Sequence, residues 1–154
     1  MSTFWKYLTV FGMSMVPVVE LRGAIPAGIA MDLNPIAVYL LSIVGNMLPV
    51  PVIILFVRRI FDWMKGKSRR LGDIARRFEA KAESHRDRVQ RYEMLGLMIF
   101  VAIPAPGTGA WTGALIAAML DMRLKRAIPP IAVGVIIAGA IMLIISGGIK
   151  WLVA

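Results

Sequence analysis

The chain has 154 residues, of which 58% are hydrophobic and 18% charged, with a mean hydropathy of +0.74 and a formal net charge of +9. A soluble domain of this size cannot cover so much apolar sequence with polar surface, so the composition predicts an integral membrane protein. Zero cysteines and a single histidine exclude disulfide frameworks, thiol nucleophiles and multi-histidine metal sites, and we predict no enzyme activity, no catalytic residue, no metal and no cofactor.

The opening segment carries charge within apolar sequence. Its stretch "ELRGAIP" places Glu20 two positions before Arg22, followed by Gly23 and Pro26, which we expect to break the helix. Charged side chains in a bilayer cost roughly 2.5 to 3.5 kcal/mol each, and they face a cavity or each other. Either residues 4–19 cross the membrane and leave the pair as wetted turn residues, or they dip and return as a re-entrant hairpin. We expect the hairpin.

The next segment is long enough to cross a membrane. A bilayer core of about 30 Å needs roughly 20 apolar residues in a helix. Residues 35–57 meet that length and end at two arginines, which predicts a transmembrane helix running from outside to inside. Within it, Asn46, Pro49 and Pro51 expose a polar side chain and loosen the backbone hydrogen bonding. They either line a pathway or only kink the helix.

Residues 58–93 form the strongly polar part of the chain. Of 18 lysines and arginines, 12 lie between Arg58 and Arg91, which is typical of a cytoplasmic segment of an inner (plasma) membrane protein and argues against nucleic-acid binding. A stripe of apolar or weakly polar residues at helical spacing predicts a basic amphipathic helix on the inner leaflet. The stripe comprises Leu71, Ile74, Ala75, Phe78, Ala82, His85, Val89 and Tyr92.

Residues 94–122 contain a second interrupted apolar stretch. Met94 to Ile103 gives 10 residues, about 15 Å of helix, which is half of what a span needs. The stretch "PAPGTGAW" then interrupts the helix, and a second helical piece follows from Ala110 to about Leu120. Both flanks are basic, so we expect a re-entrant hairpin that enters and leaves on the cytoplasmic side. Irregular backbone at that depth requires burial in protein or a watered cavity.

Residues 128–149 form the second predicted transmembrane helix, and it runs from inside to outside. The stretches "GAIPAGIAMDLNPIAV", residues 23–38, and "GAWTGALIAAMLDMRLKRAIPPIAV", residues 109–133, share an order of Gly-Ala, small residues, Met near Asp, and Pro-Ile-Ala-Val. We therefore expect two halves, each a hairpin followed by a span, in an inverted repeat. Transporters built this way bind substrate near the membrane midplane.

The polar groups at the two predicted breaks suggest an anion-binding site. Arg22 offers fixed donors for a phosphate or carboxylate, and Glu20 can neutralise Arg22 or carry a proton. The returning helices are expected to begin near Gly23 and Gly109, with their positive N-terminal ends facing each other. Thr108 and Thr112 add possible hydroxyl donors.

At "ELRGAIP" and "PAPGTGAWTG" the sequence resembles the putative small multi-drug export protein family, with the two motifs in that order and a charged segment between them. That family is similar to the larger DedA-like membrane superfamily, whose facing re-entrant hairpins are associated with moving phosphorylated lipids. The chain departs from the DedA-like pattern because residues 94–122 contain no lysine or arginine in the second hairpin. The resemblance implies functional positions at Glu20, Arg22, Pro26, Pro104, Pro106, Gly107, Thr108 and Gly109.

These observations predict a single all-α membrane domain, residues 1–154, with two transmembrane helices, two facing re-entrant hairpins (residues 1–34 and 94–122) as an inverted repeat, and a cytoplasmic amphipathic helix. The leading hypothesis is a proton-coupled transporter of an amphipathic or anionic, lipid-phosphate-like substrate. One alternative is export of cationic amphipathic drugs, with Glu20 as the binding charge. Another is a non-transporting membrane scaffold or assembly factor. The expected partners are membrane lipids, the substrate and, in a homodimer, a second copy.

Overall fold

In the computed structural model, residues 2–67, 69–70, 72–74, 76–77 and 86–153 are described, and all regular secondary structure within them is helical. Two helices in these ranges are long and apolar enough to cross a membrane, Pro35–Met64 and Leu124–Val153, each with 30 residues. At 1.5 Å per residue each is about 45 Å long, more than the hydrocarbon core requires. They contain the two predicted spans, 35–57 and 128–149. The predicted stripe of the basic helix falls mostly outside the described residues.

We number seven helices in chain order. They are α1 (Thr3–Met15), α2 (Glu20–Ala30), α3 (Pro35–Met47), α4 (Pro49–Lys67), α5 (Arg86–Ala102), α6 (Ala110–Met119) and α7 (Leu124–Val153). The first long helix consists of α3 and α4, which meet at Leu48, and the second is α7. The short helices α1, α2 and α6 have 13, 11 and 10 residues, so each is at most about 20 Å long.

The first break lies upstream of the predicted one. Gly23 and Pro26 are inside α2, so the prediction that they end a helix is wrong. The chain turns instead over Val16–Val19, where Pro17 lacks a backbone N–H and Val18 has a left-handed φ of 76°. Gly23 has a packing role, because a Cβ there would overlap the side chain of Val19. Pro26 removes only its own hydrogen bond from a helix that neighbouring helices surround.

α1 and α2 pack as an antiparallel pair. The Lys6 ammonium, near the start of α1, donates a hydrogen bond of 3.1 Å to the carbonyl of Met31, just beyond the end of α2. The two helices also approach closely at Gly28, where a Cβ would overlap Val38 of α3 and crowd Val10 of α1. A glycine is therefore required at the place where the first three helices cross.

The first long helix begins at a sequence-encoded cap and is interrupted where prolines occur. The side chain of Asn34 accepts hydrogen bonds from the amides of Ile36 (3.0 Å) and Ala37 (3.2 Å), and Pro35 occupies the first turn. α3 then ends at Met47 and α4 begins at Pro49, which confirms the interruption expected from the prolines. α4 continues ten residues beyond the predicted end at position 57, because its arginines extend the helix rather than terminate it.

The second interrupted stretch has similarly shifted limits. α5 runs through position 94, the predicted start of the second hairpin, so its apolar half continues a polar first half without a break. The irregular connection covers residues 103–109 and contains Gly107 at a φ of 81°. α6 begins at Ala110, as predicted. Its small residues face the protein interior: Ala110, Gly113, Ala114, Ala117 and Ala118 are all buried.

The core is closely packed where α5, α6 and α7 meet. The side chain of Val101 fits between Gly113 of α6 and Gly134 of α7, and a Cβ at either glycine would overlap it. Val101 itself is 1% exposed. Gly113 and Gly134 therefore allow close packing of α5, α6 and α7.

The ends of α2 and α6 have the same backbone geometry. Beyond each helix an aspartate takes a left-handed conformation, Asp32 with φ 61° and Asp121 with φ 53°. The following amide then bonds back five residues, Leu33 to Gly28 over 3.1 Å and Met122 to Ala117 over 2.9 Å. This is the Schellman arrangement, which satisfies carbonyls at a helix end.

Candidate functional site

Glu20 caps the beginning of α6 from a different helix. It is the first residue of α2, it is 3% exposed, and its φ of 48° belongs to the tight turn that precedes α2. Its carboxylate accepts a hydrogen bond from the amide of Ala110 over 3.2 Å and another from the amide of Trp111 over 3.1 Å. A carboxylate is favoured here by the free N–H groups and the positive end of the helix dipole.

Gly109, the N-cap residue of α6, makes this contact possible. A Cβ at Gly109 would collide with the Glu20 carboxyl group, and the three nearest heavy atoms all belong to that group. Gly109 has an extended backbone, so its requirement is for space and not for an unusual φ. The motif "PGTG" therefore leaves room for the acid of the motif "ELRGAIP".

Arg22 binds both Glu20 and the 103–109 connection that joins α5 to α6. One terminal guanidinium nitrogen donates to a carboxylate oxygen of Glu20 over 3.2 Å. The other donates to the carbonyl of Ile103 over 2.7 Å, and to the carbonyl and hydroxyl oxygens of Thr108, each over 3.0 Å. The Arg22 side chain is 12% exposed and that of Glu20 is 4% exposed. The guanidinium therefore satisfies carbonyls that follow α5, where no helical N–H is available.

Thr108 is part of the same network. Its hydroxyl lies 2.7 Å from the carbonyl oxygens of both Ile103 and Ala105, to which it can donate, and it accepts from Arg22. In this conformation the Thr108 hydroxyl holds the 103–109 connection, and its role as a hydroxyl donor for substrate stays a prediction. The positive end of α6 is likewise occupied by Glu20.

A small pocket lies beside the ion pair. It is lined by side chains and backbone of α2, α3, α5, α6 and α7 together with Gly109, and it has no room for a water molecule. Its lining residues are Glu20, Leu21, Arg22, Asn46, Val101, Gly109, Ala110, Val135 and Ala138. Asn46 is 1% exposed, and neither its Oδ1 nor the Nε of Arg22 has a hydrogen-bond partner among the described residues. The pocket therefore combines one ion pair with two unused polar atoms.

Four of the predicted site residues line this pocket: Glu20, Arg22, Asn46 and Gly109. Thr108 contacts it through Arg22. Five others lie outside its lining: Pro26, Pro104, Pro106, Gly107 and Thr112. The apolar lining residues were not predicted, because apolar side chains carry no chemical signal in an apolar chain. The spacing of Val135 and Ala138, three positions apart in a helix, is the one pattern that places them on a common face.

Other helix ends are also capped by side chains from distant segments. The indole N–H of Trp111 donates to the carbonyl of Met15 at the end of α1 over 3.0 Å. Arg58 of α4 donates to the carbonyls of Asp121 (3.1 Å) and Met122 (2.6 Å) beyond α6, and its guanidinium lies 3.3 Å from the Asp121 carboxylate. In the sequence, Arg58 indicates only membrane topology and carries no sign of this capping role.

Lys150 has the equivalent role at the end of α2. Its ammonium donates to the carbonyl of Ile29 over 3.1 Å and forms an ion pair with the Asp32 carboxylate. The hydrogen bond and the positive charge from Lys150 lower the pKa of Asp32. In the polar first half of α5, burial raises the pKa of Glu93. Cationic side chains therefore cap the ends of two of the short helices, α6 and α2.

The architecture is that of an all-helical membrane protein with two long apolar helices and a buried acid–base pair where short helices end. Residues 20–141 match the model of a protein family described as "Putative small multi-drug export protein", and the chain belongs to that family. No curated protein and no solved structure matches the chain. The family description is that of a membrane export protein, and the matched region begins at Glu20.

Proposed function

We propose that the protein is a proton-coupled transporter of the inner (plasma) membrane that moves an anionic, lipid-phosphate-like amphipath. In this proposal α1–α2 and α5–α6 are re-entrant hairpins that enter from opposite sides, and the pocket beside Glu20 and Arg22 is the midplane site between them. The observation that carries the proposal is the buried ion pair itself, which joins α2 to both sides of the α5–α6 break. An interior ion pair of this kind marks a substrate or proton pathway.

The lengths and caps of the short helices support a re-entrant arrangement. α1 and α6 are about 20 and 15 Å long, whereas the hydrocarbon core is about 30 Å thick. Helix ends at membrane depth must find partners within the protein. Here Glu20, Arg22 and Trp111 supply those partners from other segments.

Paired backbone features support an inverted repeat. The left-handed residues Val18 and Gly107 are separated by the same number of positions as the left-handed residues Asp32 and Asp121. Arg58, near the end of the first long helix, caps α6. In the matching arrangement, a lysine near the end of the second long helix caps α2. A two-fold relation between the halves would produce both caps, in which the long helix of one half caps the short helix of the other.

The proposed coupling uses competition for the two charged groups. Protonation of Glu20 removes the charge that holds the α6 amides and Arg22, because a neutral carboxyl is a weaker acceptor. Arg22 is then free to bind an anionic headgroup, and α6 is free to separate from α2. Return of the proton to water restores the closed pair and releases the anion. Proton and substrate therefore enter the site together.

The proposal includes the similarity to the DedA-like superfamily. The second hairpin has no cation of its own, and Arg22 of α2 supplies one. Although residues 94–122 contain no lysine or arginine, the Arg22 guanidinium lies against Ile103 and Thr108 of that stretch. One arginine can therefore serve both breaks. The basic segment 58–93 would lie on the cytoplasmic side and contact anionic lipid headgroups.

Transport in proteoliposomes tests this function. We expect the wild-type protein to move a fluorescent polyprenyl phosphate in response to a pH gradient, and Glu20→Gln to abolish that flux. The matched control is Asp32→Asn, which makes the same chemical change in an exposed ion pair outside the pocket and should leave flux intact. Both variants are first compared by thermal unfolding, because Glu20 also caps α6.

Each alternative function predicts a different result. Flux of quaternary ammonium dyes, with competition by dyes but not by polyprenyl phosphate, would identify an exporter of cationic amphipaths and refute the anionic substrate. Equal flux in wild-type and Glu20→Gln proteins that are equally stable would remove the ion pair from the mechanism. Loss of cellular function only on deletion of segment 58–93, with pocket variants silent, would indicate a scaffold or assembly factor.

A further inference from the structure

Asn46 and Arg22 each leave a buried polar atom unpaired in the pocket. The Oδ1 of Asn46 is an acceptor and the Nε of Arg22 is a donor, and neither has a hydrogen-bond partner among the described residues. Asn46 is 1% exposed and lines the same pocket as Arg22. A buried polar atom without a partner destabilises the folded protein, so the presence of Asn46 at this place calls for an explanation.

Packing alone does not require an amide at position 46. In the proposed inverted repeat the equivalent position is Val135, because the two are separated by the same number of positions as Val18 and Gly107. Val135 is fully buried and lines the pocket from α7. The pocket therefore accommodates an apolar side chain at the equivalent position on α7, and the polar side chain on α3 is not explained by space.

Asn46 belongs to the same group of packed helices as Arg22. The neighbouring Gly45 lets α3 approach α1, since a Cβ at Gly45 would overlap the hydroxyl of Ser14. Gly28 lets α2 approach α3 in the same way. The carbonyl partners of Arg22 lie instead in the α5–α6 connection. If α6 separates from α2, Arg22 loses those partners and stays with the helix group that contains Asn46.

We infer that Asn46 is the alternative acceptor for Arg22 in the open state of the transporter. The inference rests on the proposed transport function and concerns its coupling step. When Glu20 is protonated and α6 separates from α2, the Oδ1 of Asn46 accepts a hydrogen bond from the guanidinium. A guanidinium in an apolar interior is costly without acceptors, so this bond lowers the free energy of the open state. Asn46 is a positioning residue, because it acts through Arg22.

Asn46 then has opposite effects on the two states. In the closed state its Oδ1 is unpaired and destabilises the protein, whereas in the open state the same atom is paired. Asn46 therefore brings the two states closer in free energy, which makes the open state more populated. Removal of the acceptor should consequently raise the stability of the protein and lower its transport rate, a combination that a purely structural residue would not produce.

A matched pair of substitutions tests the inference. Asn46→Val introduces the residue type found at position 135 and removes the acceptor, whereas Asn46→Thr has nearly the shape of valine and retains an oxygen acceptor. We expect Asn46→Val to raise the melting temperature in detergent by about 2–4 °C. We expect it to slow proton-driven flux of polyprenyl phosphate about tenfold, the effect of one lost hydrogen bond to a charged group. Asn46→Thr should keep flux within about threefold of wild type.

Ser42→Ala is the control for removal of an unpaired polar atom. Ser42 lies one turn earlier on α3, is fully buried, and its Oγ has no partner among the described residues. It does not line the pocket. Its substitution should raise the melting temperature in the same way and leave flux unchanged, because Arg22 keeps its alternative acceptor.

Thiol labelling measures opening without requiring transport. Ala110→Cys places a reporter at the start of α6, where Ala110 is fully buried and lines the pocket. It is combined with Glu20→Gln, which mimics protonation and allows all proteins to be compared at one pH. We expect N-ethylmaleimide to label this protein about tenfold faster with asparagine at position 46 than with valine, since the open state is more populated. Threonine should give a rate close to that of asparagine.

Unchanged flux in Asn46→Val, together with loss of flux in Glu20→Gln, would overturn this inference and leave the transport function standing. Equal loss of flux in Asn46→Val and Asn46→Thr would also overturn it, because the effect would then come from packing. A lower melting temperature for Asn46→Val would contradict the unpaired state of its Oδ1. A wild-type protein without flux would refute the transport function, and equal labelling rates with asparagine, threonine and valine would separately refute the role of Asn46.

Discussion

Substitution of Gly109 by alanine tests how Glu20 holds α6. The added Cβ would occupy the space of the Glu20 carboxyl group, so the carboxylate must leave the amides of Ala110 and Trp111. Each hydrogen bond to a charged group contributes about 1.5–3 kcal/mol, so the two lost bonds are worth roughly 3–6 kcal/mol. Alanine also lowers the conformational entropy of the unfolded chain, which offsets about 0.4–1 kcal/mol of the lost stability. Glu20 in addition keeps part of its pairing with Arg22. We therefore expect a net loss of about 2–4 kcal/mol.

Thermal unfolding in detergent measures this loss through the fluorescence of the four tryptophans, one of which is Trp111. For a chain of this size, a loss of about 2–4 kcal/mol corresponds to a fall in melting temperature of roughly 5–15 °C. The matched control is Gly96→Ala in α5, where a Cβ would meet nothing within 4 Å and should stabilise the helix by about 0.5–1 kcal/mol. Equal melting temperatures for Gly109→Ala and Gly96→Ala would refute the assigned contact.

Three further predictions concern the turn and the cationic caps. Val18→Gly should stabilise the protein by about 1 kcal/mol, because a β-branched residue is strained at φ 76° and Val18 is 83% exposed; an unchanged or lower melting temperature would contradict this. Arg58→Ala should destabilise by about 1–3 kcal/mol, since it leaves the carbonyls beyond α6 without donors, and calorimetric unfolding would detect this loss. Because Lys150 lowers the pKa of Asp32 in the folded state, their pairing stabilises fully above the unfolded pKa of about 3.9 and is lost as pH falls through the lower folded value. Asp32→Asn should therefore reduce the acid dependence of the melting temperature, and an identical acid profile would exclude this contribution.

The sequence was sufficient to predict the long apolar helices but not their limits. Hydropathy identifies apolar runs, and both runs lie within helices of 30 residues. It does not report where a helix ends, because charged residues such as Arg58 continue α4 when their side chains find carbonyl partners. The break before α2 had no polarity signal, since Val16–Val19 is apolar and the left-handed Val18 has a residue type that disfavours that conformation.

The candidate site was predictable where it is polar. Glu20, Arg22 and Asn46 stand out in apolar sequence, and all three line one pocket. Their partners were not predictable, because they are mostly backbone groups: the amide of Ala110 and the carbonyl of Ile103 belong to residues without polar side chains. Which backbone groups lack a helical partner depends on where helices stop, so this part of the site depends on the three-dimensional fold.

The central claim is tested most directly by the side of the membrane on which the α1–α2 pair and the α5–α6 pair are accessible. The chain has no natural cysteine, so single cysteines can be introduced as reporters. The substitutions are Ser2→Cys and Asn34→Cys, just outside the two ends of the α1–α2 segment, and Tyr92→Cys in α5 and Arg123→Cys just beyond α6. If opposed re-entrant hairpins meet within the bilayer, an impermeant maleimide will label the first two positions from the outer face and the last two from the cytoplasmic face. Labelling of Ser2→Cys and Asn34→Cys from different faces, or of all four positions from one face, would contradict the account.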